Sequence, residues 1–170
     1  LYVGISKYPA EMTARAYDYL SSRHVHCLVY QGRYNMLGRQ PEADILSQCA
    51  GLGVGFVAFS PLAQGLLTDR YLHGHIPQGS RMTKSRFLRP KVLTGKLVAV
   101  LDSLNDLAAR RGQTLAEMAL AWCLRRPEVT SVIVGASSVA QLENNLRARR
   151  NTRFTAEEED AIDRLLAGLR

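Results

Sequence analysis

Apolar positions along this chain switch between two periods. The run Leu1-Tyr2-Val3-Gly4-Ile5 ends at Ser6 and reads as a strand. Pro9 suits a first helical turn, and Met12, Ala16, Tyr19 and Leu20 recur beyond it at helical spacing on one face. Val25 to Tyr30 predicts a second strand, followed by a polar loop from Gln31 to Gln40. Pro41 opens the next predicted helix, with Ile45, Leu46 and Cys49 inward and Gly51 and Gly53 beyond its end. Val54 to Phe59 lacks alternation and predicts a third strand, buried on both faces.

The pattern then breaks. Between Ser60 and Pro90 stand Pro61, Gly65, Gly74, Pro77 and Gly79, an excursion long enough to suggest a functional loop. Helical spacing returns with Leu93, Leu97, Val100, Leu101, Leu104, Leu107 and Ala108, and Gly112 closes it. Thr114 with Glu117 forms a capping box for a helix carrying Leu115, Met118, Ala119 and Trp122, and Pro127 stops it. Val132 to Val134 is the core of a fourth predicted strand. Ser138 with Gln141 caps a helix holding Leu142 and Leu146, and Thr155 with Glu158 caps the last, through Ile162, Leu165 and Leu166. Strands alternating with helices favour an α/β fold with a parallel sheet. Two architectures fit: an open doubly wound sheet, or part of a (β/α)₈ barrel. A whole barrel typically takes about 250 residues, so the chain would make about half of one.

Composition narrows the class. With 170 residues, 46% hydrophobic and 22% charged, residues 1–170 are expected to form a single globular domain. No apolar run approaches the roughly 18 residues that suggest a membrane span, so no membrane partner is expected. The first residue is Leu, with no secretory leader pattern, which suggests a piece of something longer. Cys27, Cys49 and Cys123 are odd in number and far apart, which favours buried reduced thiols and a cytoplasmic protein. Twenty-two Lys and Arg against fifteen Asp and Glu give a net charge of +7. The basic residues are scattered without interleaved aromatics, so no nucleic-acid partner is expected. The stretch from Tyr71 to Lys91 is the exception. It holds Arg81, Lys84, Arg86, Arg89 and Lys91 and no acid, and reads as a solvated loop or as a lid over a phosphate-bearing ligand.

In either parallel architecture a ligand lies at the carboxyl ends of the strands. The residues there are Ser6 and Lys7, then Gln31, Arg33, Tyr34 and Asn35, then Ser60 to Gly65, then Gly135 to Ser138. None is Asp, Glu, His or Cys. Acid–base chemistry usually needs such a group, and only Lys7 and Tyr34 could supply it. The four ends instead suggest hydrogen-bonding positions around a polar ligand. Gly135 and Ala136 before a helix N-terminus, with Ser137 and Gln141, suit an anion. His73 and His75 are read as a solvated loop, so no metal site is assigned.

The segments Tyr-Val-Gly-Ile-Ser at 2–6, Gln-Gly-Arg-Tyr-Asn at 31–35, Ala-Phe-Ser-Pro-Leu-Ala-Gln-Gly-Leu-Leu-Thr at 58–68 and Val-Gly-Ala-Ser at 134–137, with Gln141 to Asn145, resemble the aldo-keto reductases. The closest likeness is to the branch of bacterial glyceraldehyde-3-phosphate reductases and potassium-channel beta subunits. The resemblance runs over essentially the whole chain. It implies the C-terminal half of a (β/α)₈ barrel that binds NADP(H) in extended form.

Roles follow position by position. Ser6 and Gln31 would hydrogen-bond the nicotinamide carboxamide, and Phe59 would stack on its ring. Ser60, Pro61, Leu62, Ala63 and Gln64 would line the pyrophosphate. Arg70 and Arg81 would belong to the loop over the cofactor. Gly135 and Ser137 with Gln141 would hold the 2′-phosphate, and Asn144 and Asn145 would lie by the adenine. Lys7 stands where relatives often have Arg or Asn, and Gln141 where many have Arg. The family's catalytic Asp, Tyr, Lys and His belong to the other half-barrel, and their motifs do not occur here. The resemblance implies reduction of an aldehyde or ketone by the intact protein, with the isolated chain inactive. The alternative is a non-catalytic NADP(H)-binding regulatory subunit or half-barrel. Either would pair with a second half or a second copy.

Overall fold

The computed structural model describes residues 2–84 and 88–169. Leu1 of the first predicted strand and Arg86 of the basic stretch lie outside the described residues. The chain divides into two compact units: Leu1–Pro61 with Cys123–Val134, and Leu62–Trp122 with Gly135–Arg170.

The first unit carries the sheet. Its elements are β1 (Val3–Ser6), α1 (Ala10–Ser21), β2 (Cys27–Arg33), α2 (Ile45–Leu52), β3 (Gly55–Phe59) and β4 (Val129–Val132). All neighbouring strands are parallel and lie in the order β1-β2-β3-β4. A doubly wound sheet reverses its order at a switch point. Here spatial order follows chain order throughout, as in part of a (β/α)₈ barrel.

Aromatic rings fill the sheet's buried face. Phe56 and Tyr34 are fully buried and Tyr30 nearly so. Tyr30 stacks on Phe56 with ring centroids 5.6 Å apart, and Tyr34 meets Phe56 edge-on at 6.1 Å. Gly32 makes room for them, because a Cβ there would stand 2.6 Å from Phe56 Cζ and 3.0 Å from Tyr30 Cε1.

Local composition misplaces several boundaries. Residues 31–33, expected in a loop, belong to β2, because Gln31, Gly32 and Arg33 pair with Val57, Ala58 and Phe59. β4 starts earlier than expected. Val129, Ser131 and Val132 pair with Phe56, Val57 and Ala58, and the polar Thr130 and Ser131 hid that signal. β3 is fully buried on one face only, at Phe56 and Ala58. Pro41 sits in a 3₁₀ turn, while α2 starts at Ile45, whose amide donates to Asp44 Oδ1 at 2.6 Å. Gly51 lies inside α2, and Gly53, at φ 68°, ends it in the left-handed conformation that glycine adopts most readily. α1 turns a different face inward. Thr13 is buried, while Met12 and Tyr19 are 44% and 59% exposed. Gln48 Nε2 in α2 donates to Ala10 O at 2.9 Å, so α2 meets the start of α1.

The second unit is helical: α3 (Arg81–Lys84), α4 (Gly95–Arg110), most of α5 (Leu115–Leu124), α6 (Val139–Arg147) and α7 (Ala156–Ala167). Thr94, Ser138 and Thr155 cap α4, α6 and α7 by accepting from the amides of Leu97, Gln141 and Glu158. Thr114 and Glu117 cap each other reciprocally, as expected. Leu93 lies outside α4. On α6, Leu142 and Leu146 are exposed, and Asn145 is the buried residue. The excursion after β3 is not a free loop: Leu66, Leu67, Tyr71, Met82 and Leu88 are buried, and Met82 N donates to Tyr71 Oη at 3.3 Å. Arg111 clamps the start of α7. Its guanidinium pairs with Glu158, donates to Arg153 O at 2.8 Å and lies 3.7 Å from the Phe154 ring centroid.

Candidate functional site

In the first unit the ends of β1, β2 and β3 converge. Ser6 Oγ donates to Gln31 O at 3.1 Å and stands 3.5 Å from Gln31 Oε1. The Lys7 amide donates to the same carbonyl at 3.1 Å. Lys7 then leaves β1 at φ 60°, a backbone region costly for a non-glycine residue. Its ammonium reaches across to Phe59, 5.5 Å from the ring centroid, within cation–π range. Phe59 is half-buried, with the Lys7 ammonium over its ring.

Ser60 also has positive φ, at 53°. Its carbonyl accepts from Asn35 Nδ2 at 2.9 Å, and Asn35 Oδ1 accepts from the Leu37 amide at 3.0 Å. Asn35 is fully buried and ties the segments after β2 and β3 together. Nothing in the sequence singles Asn35 out from the other polar strand-end residues. The available signal was a polar residue between two apolar ones, Tyr34 and Met36, just past a strand.

Tyr34, one of two candidate acid–base groups, is locked away. It is fully buried, and its hydroxyl donates to Glu42 Oε1 at 2.6 Å and accepts from Arg125 Nη1 at 3.2 Å. Burial first, and then the Glu42 carboxylate, hold its pKa well above the ordinary phenol value. Burial pushes Glu42 up, but hydrogen bonds from Arg39 and Tyr34 outweigh it and leave the carboxyl below its usual range. The hydroxyl is thus committed to this buried cluster.

The second unit carries the remaining candidates. Leu62, Ala63 and Gln64 enter a 3₁₀ turn, with Ala63 and Gln64 at φ 47° and 61°. Arg70 and Arg81 are exposed. Gly135 is exposed, with nothing within 4 Å of a Cβ built there, so its backbone is open to close approach. Ser137 donates to Gln141 Oε1 through both its amide, at 2.8 Å, and its hydroxyl, at 3.0 Å. Asn144 Nδ2 stands 3.5 Å from Thr114 Oγ1. Asn145 is 7% exposed, and its Nδ2 has no hydrogen-bond partner among the described residues.

This chemistry fits an anionic dinucleotide. In the first unit the strand ends offer neutral hydroxyls and amides beside Phe59 and carry no carboxylate; in the second, Ser137 and Gln141 stand at a helix start, and Asn145 Nδ2 is a buried donor without a partner among the described residues. Among the described residues no three His, Cys, Asp or Glu stand together as a metal site, and no helix is long and apolar enough to cross a membrane. The three cysteines are buried and unpaired.

The family model described as "Aldo/keto reductase family" matches residues 1–167. The chain is 45% identical to the L-glyceraldehyde 3-phosphate reductase of Escherichia coli (strain K12), over 98% of this chain and 49% of that protein. It is 34% identical to a probable voltage-gated potassium channel subunit beta of Arabidopsis thaliana, over 86% of this chain and 46% of that one. It is also 33% identical to the NADH-specific methylglyoxal reductase of Escherichia coli (strain K12), over 71% of this chain and 36% of the relative. The chain spans about half the length or less of these curated relatives.

Proposed function

The chain belongs to the aldo/keto reductase family, and from that premise we propose that it is the NADP(H)-binding half of a reductase that converts an aldehyde or ketone to an alcohol. When bound, the dinucleotide would supply the hydride that such a reduction needs. In the first unit, Ser6 and Gln31 hold the nicotinamide carboxamide, and the ring of Phe59 gives it a stacking face. Holding the donor ring in one orientation lowers the entropic barrier to transfer. Ser60 and Pro61 present backbone to the pyrophosphate, and in the second unit so do Leu62, Ala63 and Gln64. Gly135, Ser137 and Gln141 take the 2′-phosphate, with the Ser137 donors exchanging the Gln141 carbonyl for phosphate oxygen. Asn144 and Asn145 serve the adenine, and Arg70 and Arg81 add positive charge.

The proton for the alkoxide comes from a group outside these residues. Tyr34, whose hydroxyl is committed to Glu42 and Arg125, cannot supply it. A second set of βα units completes the sheet. The buried reduced thiols support a cytoplasmic setting. The partners are the dinucleotide and a small carbonyl compound, not nucleic acid or membrane.

The observation that carries this reading is the Ser6–Gln31 pair beside the half-buried Phe59 ring, at the carboxyl ends of adjacent parallel strands. Titrating NADPH into the chain, followed by nicotinamide fluorescence, tests it. Saturable binding that Gln31→Ala weakens about tenfold is expected. A folded chain that ignores NADPH refutes it. Likeness to a channel beta subunit favours a second reading, a non-catalytic nucleotide-binding partner. Carbonyl reduction by the chain combined with the missing half supports the first reading. Cofactor binding without turnover in that complex supports the second.

A further inference from the structure

Lys7 holds a positive charge against the one aromatic ring that the proposed function assigns to the nicotinamide. Two features hold its backbone. Its amide is pinned to Gln31 O, at 3.1 Å, and its left-handed backbone turns the residue out of β1. Its ammonium lies 5.5 Å from the Phe59 ring centroid.

We propose that Lys7 sets the site's oxidation-state preference, favouring the reduced dinucleotide over the oxidised one. This rests on the reading of Phe59 as the nicotinamide platform. The oxidised nicotinamide ring carries one positive charge and the reduced ring none, and the phosphates are the same in both. Attraction between Lys7 and the phosphates therefore cancels in a comparison of the two forms. What remains is repulsion between the ammonium and the oxidised ring.

A ring stacking on the face of Phe59 that Lys7 covers pushes the ammonium to the edge. A ring on the opposite face makes a sandwich with the phenyl between the charges. In both arrangements the ammonium, which stands 5.5 Å from the Phe59 centroid, would lie on the order of 10 Å or less from a nicotinamide stacked on that ring. Two like charges at that separation in a partly solvated site change a binding ratio by about three- to tenfold at low ionic strength. The side chain is exposed, so the effect fades as salt shortens the screening length. A tenfold preference shifts the bound two-electron couple by about 30 mV towards easier reduction.

Calorimetric dissociation constants for NADPH and NADP⁺, measured on the full chain at low and high salt, test the inference without a turnover assay. The expected result is a preference for NADPH that shrinks with salt, falls about three- to tenfold in Lys7→Met and survives in Lys7→Arg. A ratio unchanged in Lys7→Met, with both forms still binding, overturns the inference and leaves the cofactor reading standing. So does a ratio in the unaltered chain that does not respond to salt. If a folded chain binds neither form, the cofactor reading fails and this inference fails with it.

Discussion

Replacing Tyr34 by Phe removes one oxygen atom from a buried cluster and is expected to destabilise the first unit by about 2 kcal/mol. The hydroxyl donates to the Glu42 carboxylate at 2.6 Å and accepts from Arg125 at 3.2 Å. A hydrogen bond to a charged group contributes about 1.5–3 kcal/mol. Glu42 keeps Arg39, at 2.7 Å, so the carboxylate is not orphaned and the loss stays within that range. For a chain of this size the change lowers Tm by about 4–8 °C. The effect has a pH signature. The folded carboxyl of Glu42 lies below its ordinary value, so its stabilisation is complete above the unfolded pKa and is lost as pH falls through the folded one. Protonating Glu42 removes the charge that makes the Tyr34 bond strong. Urea unfolding of both proteins from pH 7 to pH 3 should therefore show a gap that narrows in acid. A gap of equal size at both ends, or none at pH 7, refutes the reasoning.

Gly32→Ala should destabilise by about 1–3 kcal/mol, since its Cβ meets the rigid Phe56 ring at 2.6 Å; the midpoint of urea unfolding reads it. Thr155→Ala should remove about 1 kcal/mol from α7, visible as faster amide exchange in that helix. Arg111→Met leaves Glu158 without its partner and should lower stability by about 2–4 kcal/mol, read by thermal unfolding. Burial lifts the Cys49 thiol to about 11 and Cys123 to about 12, so neither should react with iodoacetamide at pH 8 in the folded chain, while both label in urea.

The elements that the sequence announces best are those written in local code. Thr114 with Glu117 and Thr155 with Glu158 place two helix starts, because a cap and its partner lie three residues apart. Alternating strands and helices announced a parallel sheet, and strand pairing in chain order decided between its two architectures. Local composition fails where distant residues decide. Gln31 to Arg33 look like loop until β3 pairs with them. Thr130 and Ser131 look like turn until β3 pairs with that strand too. The partners of Tyr34 stand 8 and 91 residues away, so no window along the chain could have joined them. The candidate site was legible as polar groups at strand ends. Asn35, which grips the Ser60 carbonyl, was not, because the feature that gives it a role is a contact across 25 residues.

The positive backbone angles at Lys7, Ser60, Ala63 and Gln64 set a conflict between durability and use. Glycine would relax each of these positions, and an engineer selecting only for heat resistance would be drawn to them. Yet each lies at or just after a strand end, among the side chains and carbonyls assigned to the ligand. Glycine at Lys7 would erase the ammonium over Phe59, and glycine at Ser60 would loosen the turn that Asn35 now holds still. On the proposed function, a screen for thermal stability alone should therefore enrich variants that survive heating and hold the dinucleotide poorly.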